Sequence, residues 1–124
     1  MTMKLGPLHE IILYVRDMPA QVAFYRDVLG LEISSPAGLD DYSEQYWVVF
    51  ETGQCSLALH GGGEQRFGED APKFVFKADD IEQVRDELLA RNVSVSEIHS
   101  PSPGVQVADC KDPEGNVFSI ESVS

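Results

Sequence analysis

Basic residues are scarce in this sequence. Nine Lys and Arg stand against 21 Asp and Glu, which gives the 124-residue chain a formal net charge of −12. Proteins that bind nucleic acids neutralise phosphates with clustered cations, and this sequence contains no such cluster. We therefore expect no nucleic-acid partner.

Cysteines and long apolar runs are also few. Cys55 and Cys110 are the only two cysteines, and they lack the close spacing of a zinc-binding motif. We interpret them as reduced core thiols of a cytoplasmic protein. No apolar run approaches the length of a membrane span, and the N-terminal segment lacks the apolar stretch of a signal peptide. The sequence therefore predicts no membrane partner.

The sequence does contain a strand and helix pattern that occurs twice. The alternating run LHEIILYV predicts a strand, and a helix follows that begins at Asp17, with Pro19 in its first turn, and ends at Gly30. Three strand-like runs come next. The run KFVFKA then starts the same order again, with a helix from Asp80 to Asn92 and three more strands. The two halves superpose at an offset of half the chain length, which indicates an internal repeat.

This repeat predicts an α+β fold built from two βαβββ modules in a single domain, residues 1–124. The first module spans about 7–61 and the second about 72–124. The intervening residues, about 61–72, are rich in Gly and charge, as is typical of a connector.

Several segments resemble the vicinal oxygen chelate superfamily, which includes glyoxalases, bleomycin resistance proteins and dioxygenases. LHEIILYVRDMPAQVAFYRDVLGLEI is similar to its first module, and GVQVADCKDPEGNVFSIES to its last hairpin. CSLALHGGG and KFVFKADDIEQV are similar to its middle strands and second helix. The resemblance covers nearly the whole chain. It implies a curved mixed sheet whose concave cleft holds the ligand, and, together with the short chain, a homodimer.

Side-chain alternation predicts which residues face this cleft. Ile11, Leu13 and Val15 form the apolar set of the first strand, so the residues between them face the other way. The same reasoning applies to the fourth, fifth and eighth strands of the repeat. The predicted ligand-binding cleft consists of Glu10, Ile12, Tyr14, Trp47, Ala58, His60, Lys73, Val75, Ser119 and Glu121.

The resemblance also implies where a metal would bind. Family metal sites place one ligand on each of these four strands, and the matching positions here are Glu10, Ala58, Lys73 and Ser119. Alanine has no donor atom, and a lysine ammonium repels a divalent cation. We therefore expect no tightly bound metal and no cofactor. A shifted set of Glu10, His60 and Glu121 is the alternative.

Several of these residues have simpler interpretations. His60 is equally typical of a strand end at a cleft rim, Glu121 of a solvated carboxylate, and Trp47 of a core aromatic. Lys73 is either a half-exposed strand lysine or the partner of Glu10 in an ion pair across the cleft. His99, in the proline-rich run HSPSPG, belongs to a predicted loop that either overhangs the cleft or simply connects two strands.

These features predict a small-molecule-binding protein of the glyoxalase/bleomycin-resistance type that lacks the standard metal site. The alternative is a metal-dependent lyase, isomerase or dioxygenase that uses Glu10, His60 and Glu121. A third hypothesis is a subunit that only dimerises or interacts with other proteins. The sequence does not identify the ligand, and it leaves open whether the protein is an enzyme.

Overall fold

The structure, a computed structural model, describes residues 10–62 and 71–124. The chain divides into two compact units, Met1–Gly63 and Glu64–Ser124, which we describe separately. His9 and most of the predicted connector lie outside the described residues. Among the residues described, no helix is both long enough and apolar enough to cross a membrane.

The first unit contains one four-stranded sheet and one helical segment. The strands are β1 (Glu10–Val15), β2 (Glu32–Ser35), β3 (Trp47–Glu51) and β4 (Ser56–Gly61). They lie in the order β1-β4-β3-β2. Strand β1 runs parallel to β4, while the other neighbours are antiparallel. This is the predicted βαβββ module.

The helical segment of the first unit begins and ends as predicted but is irregular inside. The Asp17 carboxylate accepts the Ala20 N–H at 3.1 Å at the start of α1 (Met18–Val22), and Gly30 has a φ of 80° at the end. The sequence predicted a regular helix throughout, but Ala23–Val28 is π-helical. The Leu29 N–H accordingly donates to the carbonyl of Phe24, five residues back, at 3.0 Å.

One face of the first sheet forms the core of its unit. The helical segment packs against this face, as the Tyr25 ring shows. Its centroid is 6.0 Å from the centroid of the Phe50 ring. Four of the residues predicted to face inward on β1 and β4 are buried there together with two from β3, whereas Ile11 is half-buried. The buried strand residues are Leu13, Val15, Val48, Phe50, Leu57 and Leu59.

The second unit repeats the topology of the first. Its elements are β5 (Phe74–Lys77), α2 (Ile81–Ala90), β6 (Ser94–Val95), β7 (His99–Ser102), β8 (Val105–Lys111) and β9 (Val117–Val123). The strand order is β5-β9-β8-β6, with β5 parallel to β9 and β7 paired to β8. Two units with the same strand order confirm the internal repeat and the α+β fold class.

The second unit departs from the prediction around β6 and β7. The run VSVSEI, the first of the three strands predicted after the second helix, forms a strand only at Ser94–Val95. The Ser96 N–H still donates to the Asp109 carbonyl at 2.8 Å, but the Ser96 carbonyl accepts the Arg85 side chain at 2.8 Å. The Asp109 N–H therefore donates to the Ser96 hydroxyl instead, at 2.9 Å, and the regular ladder ends. The predicted loop at His99 is instead the short strand β7, which pairs antiparallel with β8 and places His99 opposite Val107.

The turn between β8 and β9 is organised by one buried carboxylate. Asp112 accepts the Glu114 N–H at 3.0 Å, and the Asn116 N–H at 2.9 Å. Its second oxygen accepts the Asn116 side-chain amide at 2.8 Å. Gly115 supplies the left-handed position, with a φ of 89°. The DPEGN stretch is therefore the tight turn of the hairpin that the sequence predicted here.

Candidate ligand-binding faces

The open face of the first sheet, opposite the helix, carries a row of aromatic side chains. In the strand register His60 of β4 lies directly beside Tyr14 of β1 and Trp47 of β3. The His60 ring centroid is 4.9 Å from that of Tyr14 and 5.7 Å from that of Trp47. Tyr14 is 41% exposed and Trp47 37%. These three residues, the aromatic row, offer ring surface to a ligand.

The His60 ring is held in one orientation by the backbone. Its Nδ1 lies 2.7 Å from the carbonyl oxygen of Gly61. Because a carbonyl only accepts hydrogen bonds, Nδ1 carries the proton in the neutral ring. Nε2 is then the acceptor nitrogen of this side chain.

Two further rows cross the same face. Ala58 lies between Ile12 and Val49 and forms an aliphatic row with them. Ser56 lies between Glu10 and Glu51, and Glu32 of β2 lies opposite Glu51. We call Glu10, Ser56, Glu51 and Glu32 the acidic row. Ala58 is fully buried, whereas Ile12 is 38% exposed.

The corresponding face of the second unit carries a polar cluster. The Lys73 ammonium is 2.9 Å from Oδ1 of Asp109, and the Ser119 hydroxyl donates to the same oxygen at 2.6 Å. Ser119 is only 1% exposed. The Ser119 hydrogen bond and then the Lys73 ammonium lower the pKa of Asp109 below its usual range, against an opposing effect of desolvation, and nearby His99 lowers the pKa further.

Asp109 was not among the predicted site residues. It lies directly opposite Ser119 in the pairing of β8 with β9, so alternation along GVQVADC was the signal that places it on this face. Lys73 therefore pairs with Asp109 within its own unit.

The other predicted residues of the second unit share this face. Val75 lies opposite Ser119 and is 52% exposed. Glu121 lies between Lys77 and Val107, and is half-buried. The structure thus gathers six of the predicted residues on the open face of the first sheet and four on one face of the second.

The strand register disfavours the shifted metal set. Glu10 and Tyr14 lie at opposite ends of one side of β1, and His60 is the neighbour of Tyr14. Four residues along a strand correspond to about 13 Å, too far for side chains standing upright on a sheet to share one ion. In the described parts of the chain, no group of three or more His, Cys, Asp or Glu side chains is placed to hold a metal ion.

Each unit also contains an open cavity. In the first, a cavity of about 520 Å³ lies beside Arg16, Gln45 and Tyr46. In the second, one of about 350 Å³ lies beside Ser96, Asp109 and Lys111. The first cavity does not include the aromatic row, whereas the second touches the carboxylate that binds Lys73.

Comparison with known proteins identifies the family. The Glyoxalase/Bleomycin resistance protein/Dioxygenase superfamily matches residues 7–120. The chain belongs to this superfamily. The Bacillus subtilis (strain 168) protein YraH is similar in sequence, with 30% identity over 91% of this chain and 95% of its own length.

Solved structures share the glyoxalase-like fold. TnmS3, an antibiotic binding protein from Streptomyces sp. CB03234, superposes with a TM-score of 0.76 at 20% identity, covering 99% of this chain and all of its own. Lactoylglutathione lyase from Agrobacterium tumefaciens superposes with a TM-score of 0.74 at 26% identity, covering 96% of this chain and 95% of its own. Structures with this fold thus include both a binding protein and an enzyme.

Proposed function

We propose that this glyoxalase-superfamily protein binds a small organic molecule on its sheet faces without a divalent metal. The observation that carries the proposal is the convergence of Lys73 and Ser119 on one oxygen of Asp109. These are two of the four positions at which the family resemblance implies metal ligands. An ammonium and a hydrogen-bonded hydroxyl occupy them here.

The charges of this cluster disfavour a divalent ion. A metal that approached Asp109 would meet the Lys73 ammonium at the same oxygen, and the two cations would repel each other. The Ser119 hydroxyl already donates its proton to that oxygen. A third inherited position, Ala58, has no donor atom. Binding of a small molecule agrees with the likeness in fold to an antibiotic binding protein.

Metal analysis tests this proposal. The protein is purified without chelator, and Zn, Ni, Mn and Fe are quantified by elemental analysis before and after dialysis against a chelator. We expect less than about a tenth of an equivalent of any metal per chain, because weak surface sites retain little metal during purification. Stoichiometric metal that is lost in His60→Ala would overturn the proposal, and would make a metal-dependent lyase, isomerase or dioxygenase the leading function.

A pair of lysine variants sharpens this test. Lys73→Ala removes the ammonium from Asp109, whereas Lys77→Ala removes an ammonium four residues further along the same face. If Lys73 substitutes for the ion, Zn²⁺ or Mn²⁺ binds Lys73→Ala more tightly than Lys77→Ala and the unaltered protein, as calorimetric titration would show. Equal metal affinity in all three proteins would contradict this role of the lysine.

We further propose that the protein is a homodimer in the cytoplasm. Family resemblance supports the dimer, as do exposed apolar side chains such as Val75 and Val123, which are 52% and 64% exposed. The two free thiols, of which Cys110 is buried, support a reducing compartment.

A further inference from the structure

The open face of the first sheet is patterned along its length, and this pattern specifies a ligand class. This inference rests on the proposed small-molecule binding and narrows it. We propose that this face binds an elongated organic cation, with an aromatic group at Tyr14 and Trp47 and a protonated amine at Glu10 and Glu51.

The aromatic end of the ligand follows from the aromatic row. Tyr14 and Trp47 flank His60 across three adjacent strands, and about two fifths of each flanking residue is exposed. A flat ring that stacks on them buries apolar surface on both sides of His60. The acceptor nitrogen Nε2 of His60 then favours ligands that carry a hydrogen-bond donor next to this ring.

The cationic end follows from the acidic row. Glu10 and Glu51 both lie directly beside Ser56, on opposite sides. Two strand spacings place their backbones roughly 10 Å apart, so an amine above Ser56 faces a carboxylate on either side. Among the described strand positions of this face, no Lys or Arg neutralises these groups. The net charge of −12 adds long-range attraction for a cation.

The distance between the two ends follows from the register. The aromatic row and the acidic row are four residues apart along β1 and β4, which corresponds to about 13 Å. The aliphatic row between them, with Ile12 and Val49 on either side of Ala58, suits an apolar spacer. A ligand that satisfies all three rows therefore separates its ring from its amine by about this distance.

Trp47 provides a direct measurement, because it is the only tryptophan in the chain. The probes are naphthyl-alkylammonium ions, from a naphthylmethyl ammonium to one whose spacer holds ring and nitrogen about 13 Å apart. The matched carboxylate of the long probe and an uncharged alkylnaphthalene are controls. Quenching of Trp47 fluorescence in chelator-treated protein reports binding on this face.

We expect the long cation to bind roughly tenfold more tightly than the short cation and the long carboxylate. Glu10→Gln and Glu51→Gln should each weaken the long cation roughly three- to fivefold without changing the affinity of the uncharged probe. Glu87→Gln is the matched control, since it removes one exposed carboxylate from α2. Trp47→Ala, followed by calorimetry, should weaken every naphthyl probe.

Three results would overturn the inference. These are equal affinities for long and short cations, equal effects of Glu51→Gln and Glu87→Gln, and no quenching by any probe up to millimolar concentration. A metal-free ligand that binds on the face of the second sheet would overturn this inference but leave the proposed function intact. Stoichiometric resident metal would overturn the proposed function, while the probe series still decides the inference.

Discussion

The ammonium of Lys73 lies 2.9 Å from Oδ1 of Asp109, within the second unit. The Ser119 hydroxyl reaches the same oxygen at 2.6 Å from an almost fully buried position. One carboxylate oxygen thus binds two partners. The Lys73 side chain is half exposed, whereas Ser119 is almost inaccessible to water. The two contacts should therefore differ in their contributions to stability.

Removal of Asp109 should destabilise the protein more than removal of Lys73. Asp109→Ala leaves the buried Ser119 hydroxyl without its acceptor, which costs about 1–3 kcal/mol in the free energy of unfolding. Lys73→Ala breaks a largely exposed ion pair and should cost less than about 1 kcal/mol. Urea unfolding measures both. A double variant, Asp109→Ala with Ser119→Ala, should be more stable than Asp109→Ala alone, and the opposite order would contradict the buried-hydroxyl argument.

Acid should remove the stabilisation that the Asp109 charge provides. The pKa of Asp109 is lowered in the folded protein, first by the Ser119 hydrogen bond and then by Lys73. A lowered folded pKa means that the stabilisation is present above the unfolded pKa, about 4, and is lost as the pH falls through the folded pKa. The difference in unfolding free energy between the unaltered protein and Asp109→Asn should therefore be constant at pH 5–6 and shrink below about pH 4. If this difference in unfolding free energy grew on acidification, the lowered pKa of Asp109 would be contradicted.

The β8–β9 turn should depend strongly on Asp112. Asp112→Ala removes the acceptor of two backbone N–H groups and of the buried Asn116 side chain. We expect a loss of roughly 2–4 kcal/mol in the free energy of unfolding. Asp112→Asn keeps one acceptor oxygen for the backbone and should lose less. Thermal unfolding of both variants checks the order, and equal losses would show that the second oxygen carries the effect.

The two cysteines should differ in reactivity. Burial, together with the neighbouring Asp109 charge, raises the pKa of Cys110 to about 11, and thiols react as thiolates. At pH 8 a disulfide reagent should modify one thiol per folded chain quickly and both only in denaturant. Cys55→Ser should abolish the fast phase. A fast phase that persists in this variant would show that Cys110 is accessible.

The proposed homodimer should be visible at micromolar protein concentration. Sedimentation velocity should give one species of twice the chain mass, which is 13.7 kDa. Val75→Lys places a charge at an exposed apolar position of β5, and a loss of dimer in this variant would locate the interface there. A monomer at every concentration would refute the dimer.

Much of the fold was predictable because it depends on local chemistry. Asp17 and Asp80 cap helices through their own side chains, Gly30 and Asn92 adopt positive φ at helix ends, and Asp112 closes its own turn. Each of these signals involves residues within a few positions of each other. The period-two alternation then assigned the buried and open faces of the strands without any structure.

The π-helical segment Ala23–Val28 and the strand β7 were not predictable in this way. The spacing of apolar residues in one short segment does not distinguish a π-helix from an α-helix, whose backbone hydrogen bonds span five and four residues respectively. Strand β7 exists only because β8 offers it an edge to pair with, and residues 99–102 are all exposed and polar or proline.

The sequence by itself determined the repeat, the superfamily, and the residues that point to the open faces. Tertiary structure decided which of those residues are neighbours. Tyr14, His60 and Trp47 form one row, and Lys73 meets Asp109, because strand pairing and register align positions far apart in the chain. Alternation fixes only the face of a residue, whereas register fixes its partner across the sheet, and register is a property of two strands.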